Sequence, residues 1–271
     1  MNMNQITDLR QAVKDKTRIN VFINNKFRFS LTLEELTDAK LKVGQELTDE
    51  EITELQTLSD FGKLYQRELE YALTRPHSEK EVRDHLKNKK FKREIAWKRY
   101  EEFEKRLKED KEYREYVRDL RKKTREKNAE RKDFTEDNRN EYTGRYKTGL
   151  PTKPGAKITT EDIEKIIAKL KKVNIINDEE FARYFAENRN RIKGTSLKKL
   201  KLELRAKGID QRIIENTFRE DPRDEKEDLL KIIEKKRRKY PDDTKLIQYL
   251  LRQGFPYDLV LDSLHETDSQ N

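Results

Sequence analysis

The feature that most constrains this chain is a pattern written twice. Ser196 is followed at +4 and +8 by Leu200 and Leu204, at +12 by Gly208, and at +18 and +22 by Ile214 and Phe218. Asp242 is followed at the same offsets by Leu246, Leu250, Gly254, Val260 and Leu264, and Ile209 and Phe255 follow the two glycines. A Ser or Asp cap, leucines four apart and a closing glycine spell one helix and its stop, and the next apolar pair opens another. Two thin helices cannot bury two such stripes alone. A preceding helix must complete each unit, over 178–192 and 225–239, so the reading is three helices in about 46 residues, repeated. Only 32% of the residues are hydrophobic and 43% are charged, which fits elements with one buried stripe each rather than a thick sheet core.

A first copy is split. Ser78, Val82 and Leu86 match the second helix of the unit, with Ser78 and Glu81 as a capping box, and its first helix is expected at about 61–74. Ile163 and Ile167, the counterparts of Ile214 and Phe218, stand 85 residues after Ser78 instead of 18, and the excess equals the length of 91–157. Within that insertion the run from Phe91 to Lys132 has no glycine or proline and carries an apolar stripe at Ala96, Tyr100, Phe103 and Leu107, so one long helix is expected, then a loop to 157. Trp97 stands one position off the stripe and could dock this helix onto the repeats. Near the start, "RINVFINNKFRFSL" alternates about Asn24 and Asn25, which tolerate positive φ, so a β-hairpin is expected, followed by capping boxes at Thr32 with Glu35 and Thr48 with Glu51.

The expected fold class is mainly α: tandem three-helix repeats, three copies, in an elongated curved body with a short N-terminal β-hairpin and a long inserted helix. The expected divisions are 1–60 for the hairpin and short helices, 61–90 with 158–175 for the first repeat, 91–157 for the insertion, 176–221 for the second repeat and 222–271 for the third.

The net charge of +9 is unevenly placed, +7 of it in 91–157 and +4 in 158–220, so an anionic partner is expected at the centre of the chain. Around one junction of the second repeat lie Arg189, Arg191, Lys193, Lys198, Lys199, Lys201, Arg205 and Lys207, against Glu187 and Glu203. These are the candidate DNA-binding or filament-binding residues. Glutamates in place of Lys198, Lys199 and Lys201 are expected to weaken such binding and spare stability. A second run, with Arg121, Lys122, Lys123, Arg125, Lys127, Arg131 and Lys132, could track phosphates as an accessory contact. Phe134, Tyr142 and Tyr146, among Arg139, Arg145 and Lys147, could stack on bases. The bland counterpart of each run is a solvated helix face.

No phosphate-binding glycine loop is present, and His77, His85 and His265 lack metal-ligand spacing, so no catalytic residue, metal or cofactor is expected. Glu81 and His85, four apart, are expected to be a surface pair. With no cysteine, no apolar run long enough for a bilayer and no apolar core in "MNMNQITDLR", a cytosolic protein is expected.

The stretches "RPHSEKEVRDHL", "INDEEFARYFAENR" followed by "LKKLKLELRAKGI", and the hairpin with "LKVGQEL" resemble the RecX regulatory proteins, which bind the RecA recombinase. The resemblance spans 6–90 and 158–265; residues 91–157 depart from the family's usual pattern. It implies a non-enzymatic modulator, a monomer, that lies in the groove of the RecA filament on single-stranded DNA and limits ATP turnover or strand exchange. The competing expectation is a helical nucleic-acid-binding protein acting directly on single-stranded DNA.

Overall fold

The structure is a computed structural model. It describes residues 4–13, 15–137, 148–193, 195–219 and 224–269, with side chains excepted at 130–137, 190–193 and 267–269. The chain divides into two compact units, one of residues 1–60 with 87–160 and one of 61–86 with 161–271.

The first unit opens with four strands, β1 (Asn4–Gln11), β2 (Arg18–Ile23), β3 (Lys26–Thr32) and β4 (Glu46–Leu47), in one antiparallel sheet of order β3-β2-β1-β4. The expected hairpin is β2 with β3, turning at Asn24 and Asn25 with φ of 51° and 59°. It is the edge of a larger sheet, because β1 pairs along β2 and so buries Ile6 beside Val21, Ile23, Phe29 and Leu31. Helix α1 (Leu33–Asp38) starts at the Thr32 box, where Thr32 Oγ1 accepts from the Glu35 amide at 3.1 Å and Glu35 returns the bond at 2.8 Å. The Thr48 box opens α2 (Asp49–Ala72) with the same reciprocal pair, at 3.2 and 2.8 Å. This helix runs unbroken through 60 and 61, so the expected short helix and first repeat helix are one element. Arg18, 5% exposed, ties sheet to helix by donating to Ser30 Oγ at 3.1 Å and to the Ser59 carbonyl at 3.4 Å.

The second unit carries the repeats. Helix α3 (Glu79–Glu109) begins at Ser78, and α5 (Thr160–Lys172) supplies the displaced third helix. Val82 and Leu86 are buried on α3, as are Ile163, Ile166, Ile167 and Leu170 on α5. Glu79 binds both elements together, accepting from Arg83 Nη2 at 2.8 Å and from Lys171 Nζ at 2.7 Å, and Arg83 also pairs with Glu164. The second repeat is α6 (Asp178–Lys193), α7 (Leu197–Ala206) and α8 (Gln211–Arg219), around Phe181, Leu200, Leu204, Ile214 and Phe218. The third is α9 (Glu225–Arg237), α10 (Asp243–Arg252) and α11 (Tyr257–Ser269), around Leu229, Ile233, Leu246, Leu250, Val260 and Leu264. Burial of each stripe at the repeated offsets explains why the pattern is written twice.

The inserted helix corrects the expectation. Helix α3 runs past Leu86 to Glu109, so the second helix of the first repeat and the start of the insertion are one rod. The chain then breaks at Asp110 and resumes as α4 (Lys111–Asp137). Asp110 closes one helix and caps the next: its amide bonds the Arg106 carbonyl at 2.9 Å, and its carboxylate accepts from the Tyr113 amide at 2.8 Å. An aspartate can end a helix without glycine or proline because its side chain offers the next first turn a better acceptor. Arg114 locks the turn by donating to the Leu107 and Lys108 carbonyls, both at 2.7 Å. Arg106 sits 3.9 Å over the Tyr113 ring, Phe103 meets the same ring at 6.3 Å, and Tyr100 feels the charge of Arg121. The partners run in opposite directions, so α3 and α4 form an antiparallel hairpin. Trp97 Nε1 donates to the Gly155 carbonyl at 3.0 Å, while Arg93 takes that of Ala156 at 3.1 Å, fastening the returning chain along α3.

Candidate nucleic-acid interface

The basic run of the second repeat flanks α7, and that helix is anchored at both ends by a joint of one design. At its C-terminal end, Ser78 Oγ donates to the Lys207 carbonyl at 2.9 Å and accepts from the Glu81 amide at 3.1 Å, and Lys207 Nζ donates to Glu81 at 2.7 Å. The Glu79 amide donates to Asp178 at 2.8 Å. At its N-terminal end, the Ser196 amide donates to the Gln253 carbonyl at 3.1 Å, Ser196 Oγ accepts from the Lys199 amide at 3.2 Å, and the Leu197 amide donates to Glu225 at 3.1 Å. Lys199 Nζ completes this joint by donating to the Arg252 carbonyl at 2.6 Å and to Gln253 Oε1 at 3.2 Å. The N-terminus of α3 thus receives the C-terminus of α7, and the N-terminus of α7 receives that of α10. Orphan amides meet orphan carbonyls and the helix dipoles run head to tail.

A glycine makes each approach close. Gly208 and Gly254 have φ of 81° and 90°, and a Cβ on them would lie 2.8 Å from Lys80 Cβ and 2.5 Å from Ser196 Oγ. Both requirements, left-handed backbone and no side chain, fall on the same residue.

This geometry sorts the candidate residues. Arg189 is turned inward, with a two-pronged pair to Glu203 at 2.8 Å on each nitrogen, which holds its guanidinium charge more firmly than usual. Lys199 and Lys207 are spent on the joints. The side chains of Arg191 and Lys193 lie outside the described residues. Lys198, Lys201 and Arg205 remain on one outward face at i, i+3 and i+7, of which Lys201 also sits 5.6 Å over the Phe218 ring and Arg205 donates to Gln211 at 2.8 Å.

On α4 the second run separates into three faces. Tyr113, Val117, Leu120 and Thr124 form the more buried stripe; Glu112, Glu115, Asp119 and Glu126 form an acidic one; and Arg114, Arg118, Arg121, Lys122 and Arg125 form a basic one, all exposed. Lys123 leaves the basic group to pair with Asp119 at 2.8 Å, and Lys127 is engaged elsewhere, whereas Arg118, which the run had left unnamed, joins it. Arg131, Lys132 and the Phe134, Tyr142 and Tyr146 group, with Arg139, Arg145 and Lys147, have side chains outside the described residues.

The expected Glu81–His85 pair is not made. Glu81 accepts from Arg75 at 3.0 Å as well as from Lys207; burial works to raise its pKa, but these two cations outweigh burial and hold it below the usual value. His85 Nδ1 instead lies 2.6 Å from the buried Glu68, and Tyr71 packs its ring 3.9 Å from that of His85 and 4.3 Å from that of His77. Among the described residues no group of His, Asp or Glu is placed to hold a metal ion, and no helix is long and apolar enough to cross a membrane.

Comparison with known proteins accounts for both ends of this arrangement. Residues 4–48 match the family model described as the regulatory protein RecX N-terminal domain, and residues 177–217 match that of the RecX second three-helix domain. A regulatory protein RecX of Bacillus velezensis is 29% identical over 98% of this chain and 78% of its own, and that of Bacillus subtilis is 27% identical over the same shares. One from Listeria monocytogenes is 36% identical over 31% of each chain. A crystal structure of a regulatory protein RecX shares the fold with a TM-score of 0.55 at 19% identity, covering 94% of this chain and 96% of that one. Over nearly its whole length, in the N-terminal sheet and in the second repeat, the chain is thus similar to the regulatory proteins RecX.

Proposed function

We propose that this chain is a non-enzymatic regulator that binds the filament of a RecA-type recombinase on single-stranded DNA and lowers its ATP turnover and strand exchange. The observation that carries the reading is the second repeat. It matches the RecX second three-helix domain, it is fixed by bonded joints at both ends, and it keeps an outward cationic face at Lys198, Lys201 and Arg205. A bonded helical unit with a one-sided positive face suits docking beside a phosphate backbone, where the chain contributes position and charge rather than chemistry.

The test is the single-stranded-DNA-dependent ATPase of the cognate recombinase titrated with this protein. A saturable fall in turnover supports the reading, and an unchanged rate with the protein in excess rejects it. The competing reading, a protein that acts on single-stranded DNA without the recombinase, is favoured by the basic face of α4 and is decided by comparing bare strand with filament. Equal affinity for both, with a steep salt slope, selects it.

A further inference from the structure

The geometry points to the basic face of α4 as a phosphate-tracking surface for a single nucleic-acid strand, a contact site separate from the second repeat; the inference rests on the function proposed above and names a surface through which it is exerted. Arg118, Arg121, Lys122 and Arg125 are exposed on one face of the helix hairpin, and among the described residues Arg118, Arg121 and Arg125 have no ion-pair partner. Lys122 alone lies near a carboxylate, Glu126 at 4.0 Å.

The spacing argues that this face is not a mere solvated surface. Arg114 with Arg118, Arg118 with Lys122, and Arg121 with Arg125 are each four apart, so three like-charged pairs repel across successive turns. A helix shaped only for its own stability intersperses the signs, as α4 itself does where Asp119 meets Lys123 at 2.8 Å. Here the acidic residues Glu112, Glu115, Asp119 and Glu126 are gathered on the neighbouring face instead. An anion lying along the stripe relieves the repulsion.

Two features favour phosphate over another anion. The stripe is mostly arginine, whose planar fork matches a phosphate on two oxygens. Its charges recur every three or four residues, about 4.5–6 Å along the axis, so a linear polyanion can meet them in series. The hairpin gives the stripe a fixed direction, because α4 is pinned to α3 at Asp110 and Arg114.

The experiment measures binding of a fluorescent oligo(dT) strand to the full chain as salt is raised, for the wild type, for Arg118→Gln/Arg121→Gln/Arg125→Gln, and for Asp119→Asn/Glu126→Gln. The triple variant should bind about tenfold more weakly at low salt, with a log–log salt slope shallower by about 2, from three contacts at about 0.7 each. It should melt at or above the wild-type temperature, since it loses only repulsion. The acidic-face variant should bind at least as tightly as the wild type. Unchanged affinity and slope in the triple variant overturn the inference. Displacement of oligo(dT) by polyglutamate as readily as by unlabelled strand also overturns it, and moves the face to an acidic protein. The ATPase titration keeps the two claims apart. If the wild type lowers recombinase turnover while the triple variant binds DNA normally, only the inference fails; if the wild type leaves turnover unchanged, the function itself fails.

Discussion

The basic run around α7 and the basic run of α4 look alike as sequence and differ in how many of their cations find partners within the fold. Around α7 three of the cations are held by partners elsewhere in the chain, Arg189 of α6 by Glu203, Lys207 by Glu81 and Lys199 by the end of α10, while Lys198, Lys201 and Arg205 stay on the outward face. In α4 the arginines at 118, 121 and 125 stay outside, and the nearest ionic neighbours of that helix are its own i,i+4 carboxylates on another face. Positive charge in a helical repeat protein is therefore of two kinds. Some of it fastens repeats, and some of it stays exposed without an ion pair.

The comparison breaks most visibly through the glycines that bring the joints together. Gly208→Val and Gly254→Val should each cost about 2–3 kcal/mol in urea unfolding, because left-handed backbone and a filled contact are both required of valine. If either variant unfolds at the wild-type midpoint, the joint does not stabilise the unit.

Next in size is the exchange of a joint cation. Lys207→Glu faces Glu81 with its own charge and should cost about 2 kcal/mol, and Lys199→Glu should cost about 1–2 kcal/mol by turning a donor to the α10 carbonyls into an acceptor. Of the three lysines whose reversal is expected to spare stability, Lys198 is exposed, Lys201 is half-buried over the Phe218 ring and Lys199 is bonded to the end of α10, so the smallest cost is predicted for Lys198. Equal melting of Lys199→Glu and Lys198→Glu would contradict this division.

Acid should separate the two joints of α7. Glu79 is held below the usual value of 4.5 by the hydrogen bonds from Lys171 and then Arg83, and Glu81 is net lowered against the opposing effect of burial. A carboxylate whose folded pKa is depressed adds stability that is present above the unfolded value and is lost as pH falls through the folded one. Asp178 works the other way, its pKa raised chiefly by burial, so its protonation partly offsets the loss. The wild type should lose stability below about pH 4.5 more steeply than Glu79→Gln/Glu81→Gln, read from urea midpoints across that range. The bond of Lys199 to the Arg252 carbonyl, at the other joint, involves no carboxylate and should not share the loss.

The smallest effect sharpens the comparison from the other side. Arg118→Gln, Arg121→Gln and Arg125→Gln together should leave the stability read from urea unfolding unchanged or raise it slightly, by about 0.2–0.5 kcal/mol for each repelling pair removed. A clear fall would mean that these arginines hold the hairpin.

Much of the fold was legible because it is periodic. Leu200, Leu204, Ile214 and Phe218 bury at the offsets that Leu246, Leu250, Val260 and Leu264 repeat, and the glycines, the Thr32 and Thr48 boxes and the Asn24–Asn25 turn each announce themselves locally. Strand β1 was missed because "NQITDLRQ" alternates weakly, and its pairing with β2 and β4 is a tertiary fact. The break at Asp110 carries neither glycine nor proline to mark it in the sequence, because an aspartate cap does the same work with one side-chain bond. The candidate surface was only half legible. Net charge marks the stretches where the cations gather, but whether a lysine is spent depends on partners such as Glu81, 126 residues from Lys207, which no local pattern contains. The like-charged spacing on α4 was present in the sequence and needed only the helix boundaries to be read.

The most direct test places two variants side by side on recombinase filament assembled on single-stranded DNA, below the melting range of both. The account predicts that Lys207→Gln, though less stable, binds filament as the wild type does, and that Arg118→Gln/Arg121→Gln/Arg125→Gln, though as stable as the wild type, binds several-fold more weakly with a shallower salt slope. Loss of binding in Lys207→Gln together with wild-type binding in the triple variant would contradict it, and would return the contact to the end of α7.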